Sequence, residues 1–302
     1  MDISRKPDIF KNKNSQLQFD KDGYVVIDFI SQTETKAIVD KFHQLHSDLP
    51  KGFYSAAFSP DVKFKKEIFS HTENLFQKAI DENFYNYKVL GGTYLCKAPG
   101  EDSLVGVHQD WTVVDESRYY SATIWVPMVD TDEENGTLRV LPGSHLFFDS
   151  YRSNNIPVSY RGSEQLLWDN MITVPVKAGQ AFVLNHAVIH GSSPNRAKRE
   201  RLVVAFGIIP KAANLMYYHK EQNDDVEKYS MPDDFFQRYY NIGKRPLFGQ
   251  LVEKFNYPVP IADEKKIKQL IENKKIFLPK KYTLLNIIRE IKKFCETINL
   301  ML

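Results

Sequence analysis

A chain of 302 residues with 42% hydrophobic and 26% charged side chains can bury a sizeable core, and this composition excludes a disordered or fibrous protein. Its 40 basic and 38 acidic side chains leave a formal charge of +2, so no global field marks it for nucleic acid or a membrane surface. The two cysteines, Cys96 and Cys295, lack metal-type spacing, the polar N-terminus Met1–Lys6 lacks a signal-peptide run, and no apolar stretch is long enough for a membrane span; the expected location is the cytoplasm.

Residues 1–16 are polar and irregular and read as a loosely held arm. Phe19–Ile30 gives a turn signal and then a β-branched run, the mark of a strand. Ser31 with Glu34 has capping-box spacing, and Ala37, Ile38, Phe42 and Leu45 continue as a helix. The stretch 51–60 reads as a loop and 61–83 as a helix through Phe64, Ile68, Leu75 and Ile80. His43, His46 and His71 fall in these helical stretches without a third ligand and read as surface or packing residues.

From Tyr87 the texture becomes short β runs. Lys88–Lys97, Val105–Val113, Tyr119–Val129, Gly136–Leu141, Ile172–Val176, Gln180–His186 and Arg201–Ile209 are separated by turns such as Ala98-Pro99-Gly100 and Pro142-Gly143-Ser144. This spacing predicts a mainly β protein with flanking helices and a jelly-roll core. The stretch 146–171 is too long for a connector and reads as a lid or binding loop. After Pro210 the β texture stops, leaving one short helix around Pro232–Tyr240. From Thr283, an apolar stripe through Leu284, Ile287, Ile291, Phe294 and Ile298 faces Arg289, Lys292 and Lys293. That helix packs on the domain, lies on an anionic membrane or docks a partner. The expected division is an arm (1–16), a jelly-roll domain (17–212) and a partly helical extension (213–302).

Chemistry concentrates in two stretches. Strand side chains alternate faces, so His108 and Asp110 of Val107-His108-Gln109-Asp110-Trp111 point one way and Gln109 the other. A third imidazole would complete two histidines and a carboxylate, a set that suits non-haem Fe(II). His186 and His190 are four apart and share a face, so parity does not choose between them. The tight exit Gly191-Ser192-Ser193-Pro194-Asn195 favours His190, at a strand end. Arg201 opens an otherwise apolar strand; a buried guanidinium needs an anion, and a small dicarboxylate would supply one.

Taken in order, these residues resemble the phytanoyl-CoA dioxygenase family of Fe(II)- and 2-oxoglutarate-dependent oxygenases over roughly residues 19–210. The matching pieces are Asp22-Gly23-Tyr24-Val25-Val26, His108-Gln109-Asp110, the signature from Glu134 to His145, and His190–Asn195 leading to Arg201. The resemblance implies a double-stranded β-helix, cupin-like, with His108, Asp110 and His190 as iron ligands and Arg201 clamping the distal carboxylate of 2-oxoglutarate. Lys97, Gln109, Trp125 and Ser192 match positions that line the cosubstrate or substrate pocket in relatives, and His145 matches a structural position. Trp111 and Tyr120 are read as a wall of the substrate pocket or as core aromatics. The pocket loops are expected from 51–60, 146–171 and the region after 210, with Arg152 and Arg161 suited to an acidic or amphipathic substrate. The implied reaction consumes O2 and 2-oxoglutarate, releases succinate and CO2, and hydroxylates an unactivated C–H bond of a small or medium organic molecule. Asp110 stands where related halogenases carry a small residue, which argues for oxygen transfer. Desaturation or cyclisation would use the same chemistry. The rival is a non-catalytic jelly-roll binding protein, against which the intact ligand set speaks.

Overall fold

The computed structural model describes residues 6–46, 48, 50–239 and 243–277. The apolar stripe that begins at Thr283 lies outside the described residues. The first element is α1 (Lys13–Asp22), capped by Asn12, whose side chain accepts from the backbone N–H groups of Asn14 and Ser15. Ahead of it Ile9 and Phe10 are buried, and the Gln16 carboxamide oxygen accepts from both their N–H groups at 2.7 and 3.0 Å. This corrects the expectation of a loose arm: two apolar residues are too few to show a period, yet they suffice to pin the segment to the core. Gly23 ends α1 at φ 78°, and a Cβ there would meet the His145 ring at 2.5 Å. The Asp-Gly-Tyr turn thus packs against the Pro-Gly-Ser-His turn, and His145 is structural, its Nε2 lying 3.1 Å from the Asp20 carbonyl.

Next come β1 (Tyr24–Asp28), α2 (Gln32–Leu45), β2 (Phe53–Ser55) and α3 (Val62–Asn83). Ser31 and Glu34 form the reciprocal capping box that starts α2, and the Asp61 carboxylate caps α3. The β-rich centre holds β3 (Tyr87–Lys97), β4 (Val105–His108), β5 (Ala122–Pro127), β6 (Leu138–Val140), α4 (Glu164–Asn170), β7 (Ile172–Thr173), β8 (Gln180–Asn185), β9 (His190–Ser192) and β10 (Arg201–Pro210). They form a six-stranded sheet, β1-β8-β5-β10-β3-β2, and a four-stranded sheet, β4-β9-β6-β7.

Alternation along β10 shows how the layers are filled. Leu202, Val204, Phe206 and Ile208 join the core beneath the helices with Ile38, Phe42, Ile68 and Phe76. Val203 and Ala205 point the other way, into the space between the sheets, with Trp125, Leu138, Phe182 and Leu184. Burying such a large apolar side chain stabilises by about 1.5–3 kcal/mol, and a one-residue slip would turn the whole set over. Register is therefore firmly set, and it fixes the face on which Arg201 stands. Two sheets closed over an apolar interior, with helices on one outer face, make this a jelly roll.

Beyond Pro210 follow β11 (Leu215–Lys220), β12 (Asp225–Met231), α5 (Phe235–Arg238), β13 (Gln250–Asn256) and α6 (Glu264–Phe277). β11, β12 and β13 pair as an antiparallel sheet, which corrects the expectation that β structure stops. β13 is almost wholly exposed, so its residues carry no apolar alternation to read. The stretch 146–171 also differs from expectation. Its Tyr160, Leu167 and Met171 are buried against Ile267 and Ile271 of α6, so apolar contacts hold it as a packed segment. Among the described residues no helix is long and apolar enough to cross a membrane.

Candidate functional site

The pairing of β4 with β9 sets His108 directly opposite His190, and their ring centroids lie 4.1 Å apart. Asp110 follows two residues later, and its Oδ2 accepts from the Thr123 hydroxyl at 2.6 Å. The ligand atoms of His108, Asp110 and His190 all lie within 4.8 Å of one another. Each imidazole Nδ1 meets a carbonyl two residues back, Gly106 at 2.9 Å and Val188 at 3.0 Å. A carbonyl accepts only from a protonated nitrogen, so Nδ1 carries the proton and Nε2 keeps its lone pair for a metal. Burial, with His108 alongside, pulls His190 down to about 4 and so keeps it neutral. Burial pushes the Asp110 carboxyl up, but His190, His186, His108 and the Thr123 hydroxyl outweigh it and hold it below the ordinary carboxylate range. Two imidazoles and one carboxylate form a donor set for a divalent first-row metal.

This cluster borders a cavity of ≈ 320 Å³, within the usual size of a small-molecule site. On its opposite side, β10 and β3 place Arg201 across from Lys97. Arg201 is 2% exposed, its Nε and Nη1 have no hydrogen-bond partner among the described residues, and its guanidinium carbon lies 5.1 Å from the centre of the Trp125 ring. Burial lowers it to about 9. Lys97 is fully buried, with Nζ donating to the carbonyls of Ser192 at 3.1 Å and Ser193 at 2.5 Å. Burial and the neighbouring Arg201 bring it down to about 6. A buried guanidinium beside a buried lysine, with no carboxylate among the described residues paired to either, is the complement of a bound dicarboxylate.

The structure also sorts the other expected residues. Ser192, Trp125 and Trp111 line the cavity, Trp111 lying against Phe236 and Tyr239. Gln109 does not line it. It lies just past the end of β4, and its Nε2 donates to the Ala187 carbonyl. Tyr120 belongs to the core under the helices, its hydroxyl donating to Asp20 at 2.9 Å. Arg152 is corrected too: its guanidinium grips Glu116 at 2.6 and 3.1 Å, and its Nε donates to the Asp110 carbonyl at 2.9 Å. A residue expected to read substrate instead braces the main chain of a ligand. Arg161 is exposed and away from the cavity. No residue of 146–171 lines the cavity, so the expected lid role does not fit; the walls come from Phe53, Ala57 and Phe58 and from Phe236 and Tyr239. His186 lines the cavity outside the three-residue cluster. Thr123 and Lys65 were missed. Thr123 had a signal, since it stands two residues before Trp125 on one strand and shares its face. Nothing in the sequence sets Lys65 apart from its neighbouring lysines.

A model of the phytanoyl-CoA dioxygenase family matches residues 19–203. Among curated relatives, a phytanoyl-CoA dioxygenase domain-containing protein 1 homolog of Dictyostelium discoideum is 28% identical over 149 residues, 47% of this chain and 53% of that protein. Its counterpart in Caenorhabditis elegans is 23% identical over 244 residues, 74% of this chain and 77% of that protein. The chain spans about half the length of several curated relatives it matches. Among solved structures, the epimerase SnoN in complex with Fe3+, alpha ketoglutarate and nogalamycin RO aligns with a TM-score of 0.51 at 17% identity, over 80% of this chain and 95% of that one. At that identity the likeness is one of fold.

Proposed function

The chain belongs to the phytanoyl-CoA dioxygenase family, and from that premise we propose that it is an Fe(II)- and 2-oxoglutarate-dependent oxygenase. It hydroxylates an unactivated C–H bond of a small or medium organic substrate and releases succinate and CO2. One observation carries the reading: a metal-type cluster and an unpartnered guanidinium stand on facing sheets and border one cavity. His108, Asp110 and His190 would hold the iron, and Arg201, with Lys97 beside it, would take the distal carboxylate of 2-oxoglutarate. When bound, iron and 2-oxoglutarate supply the activation of dioxygen.

The chain's own part is positioning. Backbone carbonyls fix the tautomers of both imidazoles. Thr123 holds one carboxylate oxygen of Asp110, and Arg152 holds its main chain. The Trp125 ring lies against the Arg201 guanidinium, which keeps the planar donor group set for two parallel hydrogen bonds. Apolar walls keep water from the target carbon. An aspartate rather than a small residue at position 110 supports oxygen transfer over halogenation, and desaturation or cyclisation would need only a different placement of substrate. A reducing cytoplasm suits the buried, unpaired thiol of Cys96, which burial pushes up to about 11.

The test is to add Fe(II) and 2-oxoglutarate to the purified protein without oxygen. A weak visible charge-transfer band is expected, followed by succinate once air is admitted. Absence of the band, or full metal retention in Asp110→Ala, sinks the oxygenase reading and favours a binding protein.

A further inference from the structure

The outer part of the cavity is built from aromatic rings: Phe53 and Phe58 from β2 and the turn after it, and Trp111, Phe236 and Tyr239 from the other wall. Gly91, Gly92 and Gly207 also line it, at the irregularity where β10 shifts register against β3. Gly91 has φ +48°, and a Cβ there would sit 2.8 Å from the Phe236 Cβ, so the bare backbone lets the Phe236 side chain pack directly against β3. The flat aromatic walls accommodate a planar ring system.

One charged side chain interrupts these walls. Lys65 of α3 lines the cavity and is 4% exposed. Its Nζ donates to the carbonyls of Tyr239 at 3.0 Å, Ala57 at 3.3 Å and Phe236 at 3.3 Å, and all three residues line the same cavity. The ammonium therefore sits where the two walls meet. Its protons have acceptors, but its charge has no neutralising partner, since no carboxylate pairs with it among the described residues, and Asp110, the lone carboxylate on the lining, is hydrogen-bonded to Thr123. Burial pulls its pKa down. A neutral donor would tie α3 to α5 without the cost of hiding a charge.

We propose that Lys65 is a specificity residue that receives a carboxylate on an otherwise apolar, ring-bearing substrate; this rests on the oxygenase reading only in calling that ligand a substrate. The long carbonyl contacts at 3.3 Å are the ones a carboxylate oxygen would displace, forming a shorter, charge-assisted bond.

The test titrates three probes of one shape, 2-naphthoate, 2-naphthylmethanol and 2-naphthylmethylamine, into the full chain. Mn(II) and 2-oxoglutarate are present without oxygen, so that Arg201 is occupied, and binding is followed by calorimetry. The wild type should bind the acid at least about tenfold more tightly than the alcohol, and the amine least. Lys65→Met should bind acid and alcohol alike, and Lys65→Arg should keep the preference. Equal affinities in the wild type, or a preference that survives in Lys65→Met, would overturn the proposal. If Lys65→Met does not fold, the order of the three probes in the wild type and in Lys65→Arg decides. The affinity of 2-oxoglutarate, measured in the same cell before any probe is added, tests the oxygenase reading separately.

Discussion

The two sheets that face each other across the cavity have opposite charge preferences. The four-stranded sheet and the residues just after it offer metal donors: two imidazoles and the Asp110 carboxylate, clustered within 4.8 Å. The six-stranded sheet offers protons, with Lys97 and Arg201 opposite one another on neighbouring strands. The first group is held by hydrogen bonds to backbone and to Thr123. The second is held by the carbonyls of Ser192 and Ser193 and by the Trp125 ring, with no carboxylate among the described residues paired to it. One face is thus prepared for a cation, and the other carries unbalanced charge that an anion would relieve. In a low-dielectric space a metal on one face and a dicarboxylate against the other strengthen each other's binding.

Arg201→Gln is the largest way to break that contrast. Its KM for 2-oxoglutarate should rise by the equivalent of about 2–5 kcal/mol, at least about thirtyfold, with metal binding retained. The cosubstrate-free protein should melt no lower than wild type, because the substitution removes a buried charge that no carboxylate among the described residues neutralises. Succinate assays against 2-oxoglutarate concentration, with melts of both proteins, check it. A variant that loses stability while keeping its 2-oxoglutarate affinity would show that Arg201 serves the fold instead.

Much of the inner site was legible because strand periodicity is local. The parity of His108 and Asp110 and the outward turn of Gln109 follow from one short segment. The choice of His190 over His186 needed the register of β4 against β9, which seats His190 opposite His108; the tight exit after His190 was its sequence trace. Arg152 was misread because its partner Glu116 lies 36 residues away, and such pairing has no local signature. Of the two readings of Tyr120, pocket wall or core aromatic, the structure bears out the second, because it precedes β5 and turns to the helix-side core. The start of α2 was legible through Ser31 and Glu34, whose capping bonds span three residues; the Asp61 cap of α3 went unread. The outer cavity was legible in part: two of the three expected segments, 51–60 and the region after 210, supply walls through Phe53, Phe58, Phe236 and Tyr239, whereas its lysine is buried by segments far apart in the chain.

A subtler break targets a tie that crosses between the faces at the metal-type cluster. Thr123 stands on β5 of the six-stranded sheet yet donates to Asp110. Thr123→Val keeps the shape and removes the donor, leaving one carboxylate oxygen free to turn. Metal affinity should fall by about 10–100-fold with little change in melting temperature, and Thr123→Ser should restore it. Calorimetric titration with Mn(II) reads the effect. Unchanged affinity in the valine variant would mean that Asp110 is oriented by its main chain, and hence by Arg152.

The last prediction concerns Lys97, whose effect is small at any one pH but carries a definite sign. Burial holds its ammonium at about 6 in the folded chain, against 10.5 for an ordinary lysine. Between those values the unfolded chain binds more protons than the folded one, so folding stability rises with pH across the window. The contribution is complete above the unfolded value and is lost as pH falls through the folded one. The slope from this residue is at most about 1.4 kcal/mol per pH unit. Cosubstrate acts in the opposite direction. A carboxylate beside Arg201 favours the protonated lysine, so 2-oxoglutarate binding takes up a proton and weakens as pH rises through the same window. Melting temperature without 2-oxoglutarate should therefore climb with pH, while the increment that 2-oxoglutarate adds should shrink. Both slopes should flatten in Lys97→Met. A binding enthalpy for 2-oxoglutarate that is the same in buffers of different ionisation enthalpy would show that no proton is taken up, and that Lys97 serves only to hold the carbonyls of Ser192 and Ser193 in place behind His190.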